Sequence, residues 1–180
     1  MCRMVKEDFN MKLIKTYKLF EMDQNENLFA LFIGKNKTFQ IGQWLKAEIL
    51  PTKGFSIRPG FHSGEIPSAP WLMSADGCYK SQRSKYWKRV WTECEIIADN
   101  DYTEEALKTK KKCFEDRLPQ DGYYLFKEAG LNRVWYISDR IKINRILTED
   151  ERQQILTSLN YNEKEAAKPY IQAIRKRMKK

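Results

Sequence analysis

From Val90 to Ile97 the chain alternates with a period of two: Val90, Thr92, Cys94 and Ile96 share one face, while Trp91, Glu93 and Glu95 share the other. A segment patterned this way is a β-strand with a face to cover, so the fold must supply a sheet and a layer against it. The same alternation recurs in RVWYISDRIKINRIL, where Trp135, Ile137, Ile141, Ile143 and Leu147 recur along the strand and Asp139 and Arg145 interrupt it. GYYLFKE, after Pro119, predicts another strand. Earlier, Thr16 to Met22 and Leu28 to Ile33 flank the turn formers Asp23 to Asn27, which predicts a hairpin. Its second arm is apolar on both faces, as a central strand would be. A turn at Gly34 to Lys37 follows, and FQIGQWLKAEIL leaves short helix and irregular strand both open.

Helices gather at the far end. Thr148 and Glu151 form a capping-box pattern directly after the last strand, and Ile155, Leu156 and Leu159 give the following helix an apolar stripe. Residues 160–180 predict a second helix, bent or restarted at Pro169, with Ile171, Ile174 and Met178 inward. Asp101 and YTEEALKTKKK predict a short helix with lysines toward its negative end. Strands first and helices last indicate an α+β fold: a mostly antiparallel sheet of about five to six strands with C-terminal helices. Residues 1–11 read as a flexible lead and 12–180 as one α+β domain, helical over 148–180.

Between Pro51 and Pro70 lie four prolines and three glycines in 20 residues, PTKGFSIRPGFHSGEIPSAP. This spells an ordered loop or a set of short extended pieces, of the kind that aims side chains at a ligand. It carries His62, the chain's one histidine, four residues after Arg58 and beside Ser63 and Glu65. Histidine can donate, accept or carry a proton near neutral pH, and arginine can clamp a phosphate or carboxylate. Arg58, His62 and Ser63 are therefore candidate anion-binding residues. Glu93 and Glu95, projecting from one strand face roughly 6 to 7 Å apart, are with His62 the candidate catalytic groups.

A second candidate surface is MSADGCYKSQRSKYWKR, a mobile turn leading into the Val90 strand. Lys80, Arg83, Lys85, Tyr86, Trp87, Lys88 and Arg89 interleave charge with flat rings, which is what a single-strand or nucleotide binder needs. Lys85, Trp87 and Arg89 join the candidate ligand-binding set. The chain as a whole has 33 Lys and Arg against 24 Asp and Glu, a formal charge of +9, so anionic partners are favoured. The basic runs at Lys108 to Lys112 and Arg175 to Lys180 add nonspecific attraction for phosphates.

Several chemistries lack their sequence patterns. There is no Walker A loop, no G-x-G-x-x-G, no G-x-S-x-G elbow and no H-E-x-x-H; four scattered cysteines and one histidine do not compose a zinc module. No metal and no resident cofactor is expected. No run approaches the roughly 18 apolar residues needed to span a bilayer, and no secretory leader is read at the start. The expectation is a cytoplasmic protein of a bacterial host cell with reduced thiols and no membrane partner.

The blocks YKLF, LF, GQWLKAEILPTKGFSIRPGFHSGEIPSAP, VWTECEI and IKINRIL resemble a domain of phage and mobile-element proteins from gut bacteria, marked by an R-P-G-[W/F]-H loop. The likeness spans Tyr17 to Leu147. It departs at Trp71, which follows Ala69-Pro70 where that family would have a histidine. The resemblance implies a mobile-element context and names no activity. Gly60-Phe61-His62-Ser63 followed by a strand bearing Glu93 and Glu95 is also similar in kind and order to ADP-ribosyltransferases. That likeness implies an enzyme whose Arg58 or His62 grips NAD while one glutamate stabilises the positive charge developing on the ribose.

The leading expectation is thus a phage or mobile-element accessory protein whose basic loop face binds nucleic acid or a nucleotide-like anion. The alternatives are an NAD-using transferase of the ADP-ribosyl type, and an interaction module whose partner is a host protein.

Overall fold

The computed structural model describes residues 11–52, 57–127 and 134–179. The lead expected over 1–11 therefore lies outside the described residues except for Met11. Among the described residues ten strands form one sheet: β1 (Leu13–Met22), β2 (Leu28–Phe29), β3 (Thr38–Phe39), β4 (Trp44–Lys46), β5 (Phe61–Gly64), β6 (Lys88–Ile97), β7 (Asn100–Asp101), β8 (Gly122–Phe126), β9 (Trp135–Ser138) and β10 (Arg140–Ile146). The fold is α+β with a mostly antiparallel sheet, but it has ten strands rather than five or six. Four of them (β2, β3, β4 and β7) are two or three residues long, too short for a period of two to show in sequence.

The sheet runs β4-β10-β6-β1-β5-β9-β8-β7, with β2 and β3 attached beside β1. β9 and β10 are separated in the chain by Asp139 alone, so the path β10-β6-β1-β5-β9 returns to the stretch where it began. Five strands consequently close into a ring, which removes the long exposed edges a flat sheet would carry. One cluster, made of Phe20, Met22, Leu28, Cys94, Ile96, Ile141 and Ile143 with Phe61, Tyr123 and Tyr136 against it, draws on strands all round the ring and fills its interior. The longest contact in it is β1 on β6, ten residues paired from Leu13↔Ile97 to Met22↔Lys88.

The interruptions at Asp139 and Arg145 mark where the strand changes direction. Ile137 belongs to an outer cluster with Tyr124, Cys113 and Phe114, whereas Ile141 belongs to the interior. Asp139, 1 % exposed, makes the crossing: its backbone oxygen accepts from Ala47 N and its Oδ2 from Asp121 N. Burial pushes its carboxyl above the usual range. The β10–β6 register then slips between Ile143 and Arg145.

A helical layer covers the opposite face of β1 and β6, where Tyr17, Leu19 and Trp91 pack with Ala69 and Leu147. Helix α2 (Glu149–Ser158) begins at a complete capping box in which Thr148 and Glu151 exchange hydrogen bonds. Helix α3 (Glu163–Met178) continues through Pro169, so the helix does not restart there. Two expected inward residues are also corrected: Leu159, just past the end of α2, is 54 % exposed and Met178, the last residue of α3, is 76 % exposed, because each sits at a helix terminus. Helix α1 (Thr103–Lys108) lies where a short helix was expected; Asp101 Oδ1 accepts from Thr103 N at its start.

The expected hairpin exists, with Glu21↔Phe29 and Met22↔Leu28 paired. Its second arm is only two residues long and branches off the main path instead of lying centrally. Phe32 and Ile33, which made that arm look two-faced, are exposed.

Candidate functional site

His62 sits in strand β5, not at a loop tip. Phe61 to Gly64 pair residue for residue with Ser138 to Trp135. Pro59 and Gly60 deliver the chain into this strand. Gly60 has φ +134, and a Cβ there would lie 2.7 Å from Ile137 Cγ2 and 3.0 Å from Ser138 O. No L side chain fits that backbone without strain. Gly60→Ala is therefore expected to destabilise the fold by about 2 kcal/mol, as read by urea unfolding; an unchanged midpoint would show that β5 tolerates the shift.

Within the RPGFH segment the histidine ring is tied to the arginine's backbone, while the buried Arg58 Nε has no hydrogen-bond partner. His62 Nε2 lies 3.0 Å from the Arg58 carbonyl and donates to it, which fixes the proton on that nitrogen. Burial of the ring pushes its pKa down to about 4; the carbonyl opposes this, and the positive charges of Lys18 and Arg58 reinforce it. The imidazole is neutral at physiological pH. The Arg58 guanidinium lies 4.1 Å from the centre of the Phe126 ring, a stacked cation–π contact. Ser63 is fully buried, and its Oγ has no hydrogen-bond partner.

Glu93 and Glu95 do not join this group. They lie on β6, with β1 between them and β5, so two inter-strand spacings, roughly 10 Å, separate the two sets of backbones. Each carboxylate is engaged in its own charge ladder. Glu93 meets Arg145 Nε at 3.5 Å and Lys15 Nζ at 3.8 Å, and Glu95 meets Lys142 Nζ at 2.6 Å. Arg145 in turn pairs with Glu151 at the start of α2.

The basic stretch before β6 divides. Arg89 is buried: its Nε donates to Glu21 Oε1 at 3.0 Å and its Nη1 to the Leu72 carbonyl at 3.0 Å, which commits it to the fold. Arg83 ties the stretch down through its Nη1 to Lys35 O and its Nη2 to Ala30 O. Its guanidinium also sits 5.2 Å from the Trp87 ring and 5.6 Å from Phe29, and those two rings stack at 4.8 Å. Tyr86 is 62 % exposed, with Lys85 Nζ 5.0 Å from its ring centre. Lys85 and Lys88 are exposed and have no ion-pair partner among the described residues. A rigid aromatic base thus carries a projecting ring and free ammonium groups.

One functional candidate escapes sequence reading altogether. Lys18 falls on the same face of β1 as Phe20, inside the ring, opposite Thr92. Its Nζ donates to the His62 carbonyl at 2.7 Å, and burial pushes its pKa down to about 8. A lysine within an alternating strand reads as an outward residue; only closure of the sheet turns it inward.

Among the described residues, no group of three or more His, Cys, Asp and Glu side chains is arranged to hold a metal ion, and no helix is long and apolar enough to cross a membrane. Of the cysteines, Cys78 is exposed and Cys94 and Cys113 are buried, all three free; Cys2 lies outside the described residues. No family model, curated protein or solved structure matches the chain.

Proposed function

We propose that the chain binds single-stranded nucleic acid on the surface formed by Lys85, Tyr86, Trp87 and Lys88, as an accessory protein of a phage or mobile element. The observation that carries this reading is the Tyr86 ring, projecting into solvent beside unpaired lysines from a base locked by the Arg83–Trp87–Phe29 stack. Base stacking on an exposed ring and phosphate attraction to lysine are the two terms a sequence-tolerant single-strand binder combines. The overall charge of +9 favours the encounter. Arg58, His62 and Arg89 contribute indirectly, by holding β5 and the 70–89 stretch in place. A nucleotide-like anion alone is the weaker form of the reading, since this surface is a ledge and not an enclosed pocket.

Fluorescence anisotropy with short labelled oligonucleotides tests it. Affinity should fall steeply with added salt, and Tyr86→Ala should weaken binding by about tenfold while leaving the unfolding midpoint unchanged. Absence of binding at low salt, or equal affinity of wild type and Tyr86→Ala, would overturn the assignment.

A further inference from the structure

The interior of the ring holds a cluster of polar groups that the surface reading does not use. Lys18 presents an ammonium there with three protons to donate, and the His62 carbonyl accepts one of them. No carboxylate pairs with it among the described residues. Thr16 lies two residues earlier on the same face of β1 and is 0 % exposed; its Oγ1 has no hydrogen-bond partner. Tyr17 opposes Gly64 across the β1–β5 boundary, which puts Ser63 opposite Lys18 by continuation of the antiparallel register. Ser63 is likewise 0 % exposed with an unpartnered Oγ, and Ser138, opposite Phe61 on β9, repeats the pattern.

We propose that Lys18, Ser63 and Thr16 form a binding site for a small oxyanion, a carboxylate or phosphate group, inside the strand ring. An ammonium drawn into the ring without a counter-charge and neighbouring hydroxyls without acceptors are each unfavourable. One anionic oxygen group relieves all three at once, accepting from the ammonium and from both hydroxyls. A water molecule would satisfy the hydroxyls but supply no charge. The ionisable groups nearest Lys18 supply no counter-charge: Cys94, opposite Thr16, is a thiol pushed by burial up to about 11, and His62 turns its ring toward the Arg58 carbonyl. Lys18 as a whole residue is partly, not fully, withdrawn from solvent. Sequence presented Ser63 as a loop residue beside a histidine; ring closure makes it the cross-strand neighbour of a lysine.

The site is separate from the Tyr86 surface, and its test is separate too. The Lys18 side chain is followed by carbon NMR in lysine-labelled full-length protein, titrated with pH in the presence of sodium phosphate or sodium acetate. Bound oxyanion favours the charged ammonium, so a tenfold preference for that form raises the Lys18 pKa by about one unit. A saturable upward shift with phosphate alone identifies a phosphate site, and one with acetate alone or with both identifies a carboxylate-accepting site. Lys18→Met, which keeps the chain's length inside the apolar ring, should abolish phosphate and acetate binding by calorimetry while leaving oligonucleotide affinity unchanged. A Lys18 titration indifferent to both anions, or undiminished anion binding in folded Lys18→Met, would overturn the proposal.

Discussion

Replacing Arg152 with Ala is expected to remove about 3–5 kcal/mol of folding stability. Arg152 is 5 % exposed and binds on every side. Its Nε and Nη2 donate to Glu149 at 2.9 and 2.6 Å, and its Nη1 donates to Glu163 Oε2 at 2.7 Å and to the Pro67 carbonyl at 3.1 Å. Tyr79 completes the network, donating to Glu163 Oε1 at 2.6 Å while its oxygen accepts from Ala69 N at 2.8 Å. Burial, reinforced by the Glu163 charge, pushes the Tyr79 hydroxyl well above its ordinary pKa and keeps it a donor. Removing the guanidinium leaves Glu163, 7 % exposed, as a buried charge without its partner. That penalty, more than the loss of attraction, sets the size of the effect.

Two comparisons separate this cause from mere loss of packing. Glu149→Ala removes a carboxylate whose side chain is 66 % exposed, and should cost under about 1 kcal/mol. Arg152→Met combined with Glu163→Leu removes both charges, and should cost less than Arg152→Ala alone. Chemical unfolding at neutral pH measures all three. Equal losses in the single and double variants would mean that volume, not charge, governs the site.

This network joins α2, α3 and the segment from Pro67 to Tyr79, and its origin shows what a sequence can and cannot convey. The capping box at Thr148 and Glu151 is legible because helix starts are written locally, within four residues. The pairing of Arg152 with Glu163 and Tyr79 is not, since it depends on how two helices settle against a turn 73 or more residues away. The long strands β1, β6 and β10 likewise announce themselves by alternation. Closure of the ring does not, because it needs β9 and β10 to enter opposite ends of the same path. Only Asp139, one of the two residues that interrupt the alternation, hints at that event.

The candidate site divides along the same line. Arg58, His62 and Ser63 drew attention as a stiff basic loop, yet four residues of that loop pair with β9 and become sheet. Prolines and glycines give the segment the pattern of a loop, although none interrupts Phe61 to Ser63. Lys85 and Trp87 stayed at the surface, where composition alone can be informative. Arg89, one residue into the strand beyond Lys88, turned inward to Glu21. A shift of one residue in a strand exchanges its faces, and a charged side chain follows the face it is given. Glu93 and Glu95 were correctly read as sharing a side of β6, but the partners on that side are Lys15, Lys142 and Arg145.

His62 is expected to make the fold acid-sensitive well before its carboxylates titrate. In the folded chain its pKa is held at about 4, while in the unfolded chain it returns to its ordinary value near 6.5. Between those values the unfolded state binds the proton and the folded state does not, so stability rises with pH through the window. The favourable contribution is complete above about pH 6.5 and is lost progressively as pH falls toward 4, a total of about 3 kcal/mol. His62→Gln isolates it: the amide can still donate to the Arg58 carbonyl but cannot take up a proton. Urea unfolding of both proteins from pH 7 to pH 4 should show the wild type losing stability faster than the variant, with the difference growing to about 3 kcal/mol at the acid end. Parallel curves would mean that the ring reaches water and titrates freely. Such a result would also return His62 to the ligand-binding candidacy that its burial and its bond to the Arg58 carbonyl argue against.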